Sequence, residues 1–341
     1  MSAPDQVKRY SVYGYDFILD GNCGEAQKGL AEDFTFFSGE SAATSPVTLV
    51  LNQDRPDYAG LPECDASVYT PRNVVYRDGA RRILDFGGRG LGIHEPDQRR
   101  FTMTSESSDL VYEAGYLFLL SQIGQRADER GMSRVHAVAM SYRGRAILVM
   151  LPMGGGKSTL AAALLRHKGL RILSDDSPFI DRMGRLHAFP LRLGLLNGQE
   201  KQLPPEQLRL IERMEFGPKY LVNYSYFADR VTATAEPGML LVGRRSLGER
   251  GRLEKSSYKT AMAAMVPHSI VGLGLFQGLE YILERSTGEL VGKAGVALSR
   301  ARNAHSLIRR SHNFVLHMGR DTEQNAQLVM DEAERLFADS Q

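Results

Sequence analysis

The chain has 341 residues, 43% hydrophobic and 24% charged, with a formal net charge of +2, enough for two domains with buried cores. Near-neutral charge gives no electrostatic reason to expect DNA, RNA or an anionic membrane as partner, and no RNP-like or zinc-finger pattern occurs. Two cysteines, Cys23 and Cys64, are too few for a disulfide framework or a closed zinc site and are expected as reduced thiols.

The opening MSAPDQVKRYSVYG lacks an apolar signal core, and runs such as AILVMLPM are too short to cross a bilayer. A cytoplasmic protein with access to ATP is the expectation. Residues 1–105 read as a β-rich α+β module for recognition or assembly. VTLVLN, ASVYT, NVVYRDG and RRILDFGG are strand-like pieces broken by Gly, Pro and Asp. SDLVYEAGYLFLLSQIGQRADERG (108–131) predicts a helix, capped by Ser108 or Asp109 and ended by Gly131. Residues 106–341 are expected to form a nucleotide-binding catalytic domain.

That domain opens with RVHAVAMS and RAILVML, two strands around the turn Tyr142-Arg143-Gly144. STLAAALLRHKG predicts a helix, LRILSDD a strand, and PFIDRMGRLHAF a hairpin around Met183-Gly184. Residues 200–220 read as helical and then irregular, with Pro204, Pro205 and Pro218 as breakers. GMLLVGRRS and HNFVLHMG read as late strands; TAMAAMVPHSIVGLGLFQGLEYILE and TEQNAQLVMDEAERLF read as helices.

Between the second strand and the next helix lies Gly154-Gly155-Gly156-Lys157-Ser158-Thr159. Strand, glycine-rich turn and helix in that order are the context of a phosphate-binding (Walker A) loop. Its backbone N–H groups wrap anionic oxygens at a helix N-terminus. Lys157 would reach the terminal phosphates, and Ser158 would set its hydroxyl on Mg²⁺. Thr159 comes next, with the helix packing side as its other destination. Leu151 stands where the motif normally begins with glycine, followed by Pro152 and Met153.

LRILSDD ends in Asp175 and Asp176. Ligands of open α/β sheets bind beyond the carboxyl ends of the strands. There one carboxylate can hold Mg²⁺ through water and the other can take the proton of an attacking hydroxyl. A turn cap ahead of Pro178 is the structural alternative. If the first hairpin turns between Arg143 and Gly144, His136 faces Leu151 at the start of the loop. It would there contact phosphate or tune the acidic pair; a packed histidine is the alternative, and a one-residue slip would turn it to the other face.

VHAVAMSYRGRAILVMLPMGGGKSTLAAALLRHKGLRILSDDSPFID resembles the catalytic core of bacterial HPr kinase/phosphorylase and its related kinases. FPLRLGL (189–195) looks like that family's arginine-containing segment. The resemblance implies a phosphate-loop α/β core of the HPr kinase/phosphoenolpyruvate carboxykinase type. It implies ATP- and Mg²⁺-dependent phosphorylation of a serine on a partner protein. By the same resemblance Gly156, Lys157 and Ser158 fall on the nucleotide and magnesium positions, and the backbone of Gly154, Gly155 and Gly156 is expected to hold the phosphates. Asp175 falls on the catalytic base, with Asp176, on the metal side, and His136 beside it. No HPr-gripping segment is recognisable, so the expected acceptor is another small protein or peptide. Self-association is left open. Arg192, Arg244 and Arg245 are cationic candidates for phosphate or acceptor contact, with a solvated surface role as the alternative. The competing readings are a nucleotide-binding switch or slow ATPase, and a small-molecule kinase, with GTP or pyrophosphate as other donors.

Overall fold

The computed structural model describes residues 8–39, 45–152, 154–194, 203–213, 217–270 and 287–338. The fold is mixed α/β with several sheets. Residues divide into two compact units. The first comprises the chain up to Arg126 with short later segments, among them Leu210–Lys219; the second comprises most of the chain from Ala127 onward.

The first unit contains β1 (Arg9–Val12), β2 (Tyr15–Asp20), α1 (Gly24–Asp33), β3 (Val47–Gln53), β4 (Ala66–Tyr69), β5 (Val74–Asp78), β6 (Arg81–Asp85), β7 (Gly90–Glu95) and β8 (Arg100–Ser105). Its sheet runs β1-β2-β3-β8-β7-β6-β5-β4. The β2–β3 and β3–β8 pairs are parallel and the others antiparallel. α2 (Ser108–Glu129) follows. Its cap is Ser107, whose Oγ accepts from Leu110 N, rather than the expected Ser108 or Asp109. Leu30 of α1, Leu51 of β3 and Gly115 of α2 meet over one face of the sheet. Phe101 and Phe118 stack there at 3.9 Å, and Tyr112 donates to the buried Asp33 carboxylate at 2.5 Å.

The second unit holds β9 (Ser133–Arg134), β10 (Val138–Tyr142), β11 (Arg145–Met150), α3 (Lys157–Leu164), β12 (Leu170–Ser174), β13 (Phe179–Ile180), β14 (Leu186–His187) and β15 (Leu193–Gly194). β16 (Leu208–Arg213), β17 (Gly217–Val222), β18 (Thr234–Arg245), β19 (Arg252–Lys255), α4 (Tyr258–Met265), α5 (Thr287–Arg309), β20 (His312–Met318) and α6 (Thr322–Leu336) complete the elements. The ordering β12-β10-β11-β18, with β20 and β19 beyond β18, forms the central sheet. β11, β18 and β20 are mutually parallel, and β10 is antiparallel to both β11 and β12. The carboxyl ends of β11, β12, β18 and β20 therefore share one edge.

The first hairpin pairs Tyr142 with Arg145 and Val138 with Val149. Arg143 (φ 50°) and Gly144 (φ 74°) are both left-handed, as a two-residue type I′ turn requires. The continuous strand expected over RVHAVAMS is instead broken at Val135–Ala137. There His136 N donates to His268 O and Ala137 N to Asp176 O, in place of ladder partners. The helix expected near 200–220 is a 3₁₀ turn at Pro205–Gln207 followed by β16 and β17. Pro204 and Pro205 end helical continuation, and alternation in LRLIER fits a strand. The late helical stretch begins as α4 and opens into a π-turn, Val266–Ile270, at Pro267; its remainder, 271–284, lies outside the described residues, as does Leu195.

Alternate residues Val138, Met140, Ile147, Val149, Met239, Leu241 and Leu316 pack with Leu160 and Leu164 of α3 and Val329 and Met330 of α6. The intervening Ala139, Leu148, Met150 and Leu240 are equally buried, so the sheet is covered on both faces, which explains its near-continuous apolar strands. Cys23 and Cys64 are free thiols. Among the described residues no helix is long and apolar enough to cross a membrane.

Candidate functional site

Leu151 follows β11 directly and is fully buried. A Cβ on Gly243 of β18 would lie 2.4 Å from Leu151 Cδ2, so the bare backbone at Gly243 makes the room that Leu151 fills. Burying a leucine contributes about 1.5–3 kcal/mol, and this one anchors the base of the loop. The left-handed residues are Gly154 (φ 71°) and Gly156 (φ 96°). Gly155 makes a close approach, its N donating to Pro152 O at 2.9 Å. A Cβ there would lie 2.8 Å from that oxygen. Met153 lies outside the described residues.

Gly156 caps α3, and the first intrahelical bond is Leu160 N to Gly156 O at 2.9 Å. The N–H groups of Lys157, Ser158 and Thr159 therefore have no helical carbonyl to donate to, which makes this end suited to anionic oxygens. Ser158 and Thr159 are half-buried.

Lys157 Nζ donates to Leu151 O at 3.0 Å and lies 2.6 Å from His136 Nε2. His136, 6% exposed, turns its Nδ1 toward Asp176 Oδ1 at 3.4 Å. Burial lowers the His136 pKa, the Asp176 carboxylate pulls against that, and Lys157 and Arg134 add to the lowering. The His268 ring stacks on His136 at 5.9 Å with planes 4° apart. Its pKa is lowered too, first by burial and then by His136 and Lys157.

The two aspartates diverge. Asp176 faces the imidazole, whereas Asp175 Oδ2 accepts from Gly194 N at 3.2 Å. Asp175, not Asp176, lines one cavity together with Ser158. Arg245 reaches the loop, its Nη1 3.5 Å from where a Gly156 Cβ would be. Arg244 is exposed one residue earlier, and Arg192 is half-buried just before β15.

His136, Lys157 and Asp176 thus form one contact chain, whereas Asp175 and Ser158 face a common cavity. His268 was not reachable from spacing, because it lies far downstream on an unrelated segment. The only local signal is Pro267, which interrupts a helical pattern immediately before it. Among the described residues no group of three or more His, Cys, Asp or Glu side chains is arranged to hold a metal ion. Mg²⁺ held by one or two side chains, substrate phosphates and water needs no such cage. No family model and no curated protein matches this chain.

Proposed function

We propose that the second unit is an ATP- and Mg²⁺-dependent phosphotransferase of the HPr kinase-related type. Its acceptor is a hydroxyl, in our reading a serine of a small protein or peptide, and its donor is the cytoplasmic ATP pool. The observation carrying this reading is the convergence, at the carboxyl edge of the central sheet, of a glycine-rich loop, its lysine, a buried histidine and two diverging aspartates.

Bound Mg-ATP supplies the transferable phosphoryl group and the metal charge that offsets its negative oxygens. The N–H groups of Lys157, Ser158 and Thr159 would hold phosphate oxygens, with the Lys157 ammonium at the terminal end. The Ser158 hydroxyl would meet the metal from the loop side. Asp175, in the wall of the cavity beside Ser158, would accept the acceptor hydroxyl's proton. Asp176 orients His136, and His136 accepts from Lys157. This fixes where the ammonium stands before an anion arrives.

The test is incubation with Mg²⁺ and γ-labelled ATP in the presence of a polypeptide mixture. Acid-stable label on serine, lost with EDTA and in Lys157→Ala, is the expected result. Phosphate release with no labelled polypeptide would sink the reading in favour of an ATPase.

A further inference from the structure

Beside the phosphate loop the second unit carries a partly open cavity of about 300 Å³. Ser158, Ala161, Ala162 and Leu165 of α3 form one wall. These positions follow the three- and four-residue spacing of a single helix face. Leu193, Leu203, Val222, Tyr226 and Phe227 line most of the remainder, together with Asp175. Leu193, Leu203 and Leu165 pack around the buried cluster Ile172, Val222 and Phe227, so this wall is preformed. Arg230 and Arg166 border it, but both are engaged. Arg230 donates to His167 O and Leu170 O, and Arg166 pairs with Glu323. The cavity therefore offers mainly apolar surface, with the Ser158 and Tyr226 hydroxyls, one carboxylate and two guanidinium groups that already have protein partners.

Its position relative to the loop says which reactant enters it. Gly154, Gly155, Gly156 and Lys157 do not line it, whereas Ser158 and Asp175 do. A group in this cavity stands on the side of the aspartate that takes the proton, away from the turn that wraps the phosphates. The volume is at the low end for a ligand pocket, which runs from about 300 Å³ upward. It suits one bulky side chain better than a whole metabolite.

We propose that this cavity selects the acceptor, taking a bulky apolar side chain, aromatic or branched, that neighbours the phosphorylated serine in a polypeptide. The proposal rests on the phosphotransferase reading above and adds the acceptor's chemical class. Apolar burial beside the reacting hydroxyl would place that hydroxyl at Asp175 and exclude water from it.

The test is a serine peptide library varied at the residues flanking the serine, scored both for labelling and, with a non-hydrolysable ATP analogue present, for equilibrium binding. Phe, Leu or Ile beside the serine should raise labelling and affinity at least about tenfold over Ala or Asp, the scale of one well-buried side chain. Ala162→Phe, which fills the cavity from α3, should abolish that preference while leaving affinity for the ATP analogue within about twofold. Leu203→Glu, at a half-buried position of the same wall, is the second variant should Ala162→Phe fail to fold. Labelling or binding indifferent to the flanking residue overturns the proposal. Loss of nucleotide affinity in a folded filled variant also overturns it and assigns the cavity to the nucleoside. Label on small hydroxylated compounds but on no peptide overturns it in favour of a small-molecule acceptor. Selective peptide binding without labelling of anything leaves the cavity's selectivity standing and sinks the phosphotransferase reading alone. Neither labelling nor binding sinks both.

Discussion

Lys157 Nζ lies 2.6 Å from His136 Nε2, a contact that fixes how the imidazole is protonated. An ammonium can only donate, so Nε2 accepts and the ring proton sits on Nδ1, facing Asp176. The lysine is held at the base of the loop by this nitrogen and by Leu151 O. A second proton on His136 would set two cations against each other, and burial opposes it further.

Stability should therefore fall in acid through the buried His136 and the half-buried His94 and His268. His136 and His268 are lowered from 6.5 by burial first, and His94 is brought to about 4 by burial and Arg82. Below 6.5 the unfolded chain binds protons that the folded chain refuses. This contribution is complete above 6.5 and is lost as pH falls toward the folded values. The melting temperature should be level above pH 7 and decline below about 6.5. His94→Gln and His136→Gln should each flatten part of that decline. An identical pH profile in both variants would refute the neutral-imidazole assignment.

Removing the His136 ring should also slow transfer. His136→Ala is expected to lower phosphotransfer by roughly 10²-fold, the scale of a lost acid–base or electrostatic group, with a smaller change in nucleotide affinity. Steady-state rates beside analogue titrations separate the two effects. Wild-type rates in this variant would leave His136 a packing residue.

The two aspartates should fail differently. Asp175→Asn should stop transfer while retaining most Mg-ATP affinity, because its carboxylate lines the cavity proposed for the acceptor. Asp176→Asn should act through His136 and Lys157, shifting the pH profile and metal dependence more than it removes turnover. Lys157→Ala should abolish turnover without unfolding the chain, since in the proposed reaction its ammonium serves the terminal phosphate. Full activity in both Asn variants would make the pair a structural cap.

Leu151 and Gly243 should be energetically coupled. Gly243→Ala puts a methyl group into the Leu151 side chain and should destabilise by about 1–3 kcal/mol, as overpacking does. Adding Leu151→Ala should recover part of that loss, read as a nonzero coupling in a double-mutant cycle by denaturant unfolding. Strict additivity would show that the two sites relax independently.

Several elements were legible from the sequence because local chemistry decides them. Arg143-Gly144 can occupy a two-residue turn, and alternation on either side then sets the pairing of Val138 with Val149. The glycine triplet before Lys157 announces the loop because left-handed residues are needed there. α6 follows from its capping Asp321 and its apolar stripe. α5 is not legible locally, because charges interrupt its apolar stripe, and neither is the break at His136. The backbone donor at His136 goes to His268 and that at Ala137 to Asp176, partners on segments that no local window contains. How Leu151 is accommodated depended on Gly243 of a distant strand, and the opposite headings of Asp175 and Asp176 depended on Gly194 and His136. Local sequence determined turns, caps and strand alternation, since those energies act within a few residues. Tertiary structure decided which side chains meet, because close packing and the partnering of buried donors are satisfied only across the whole sheet.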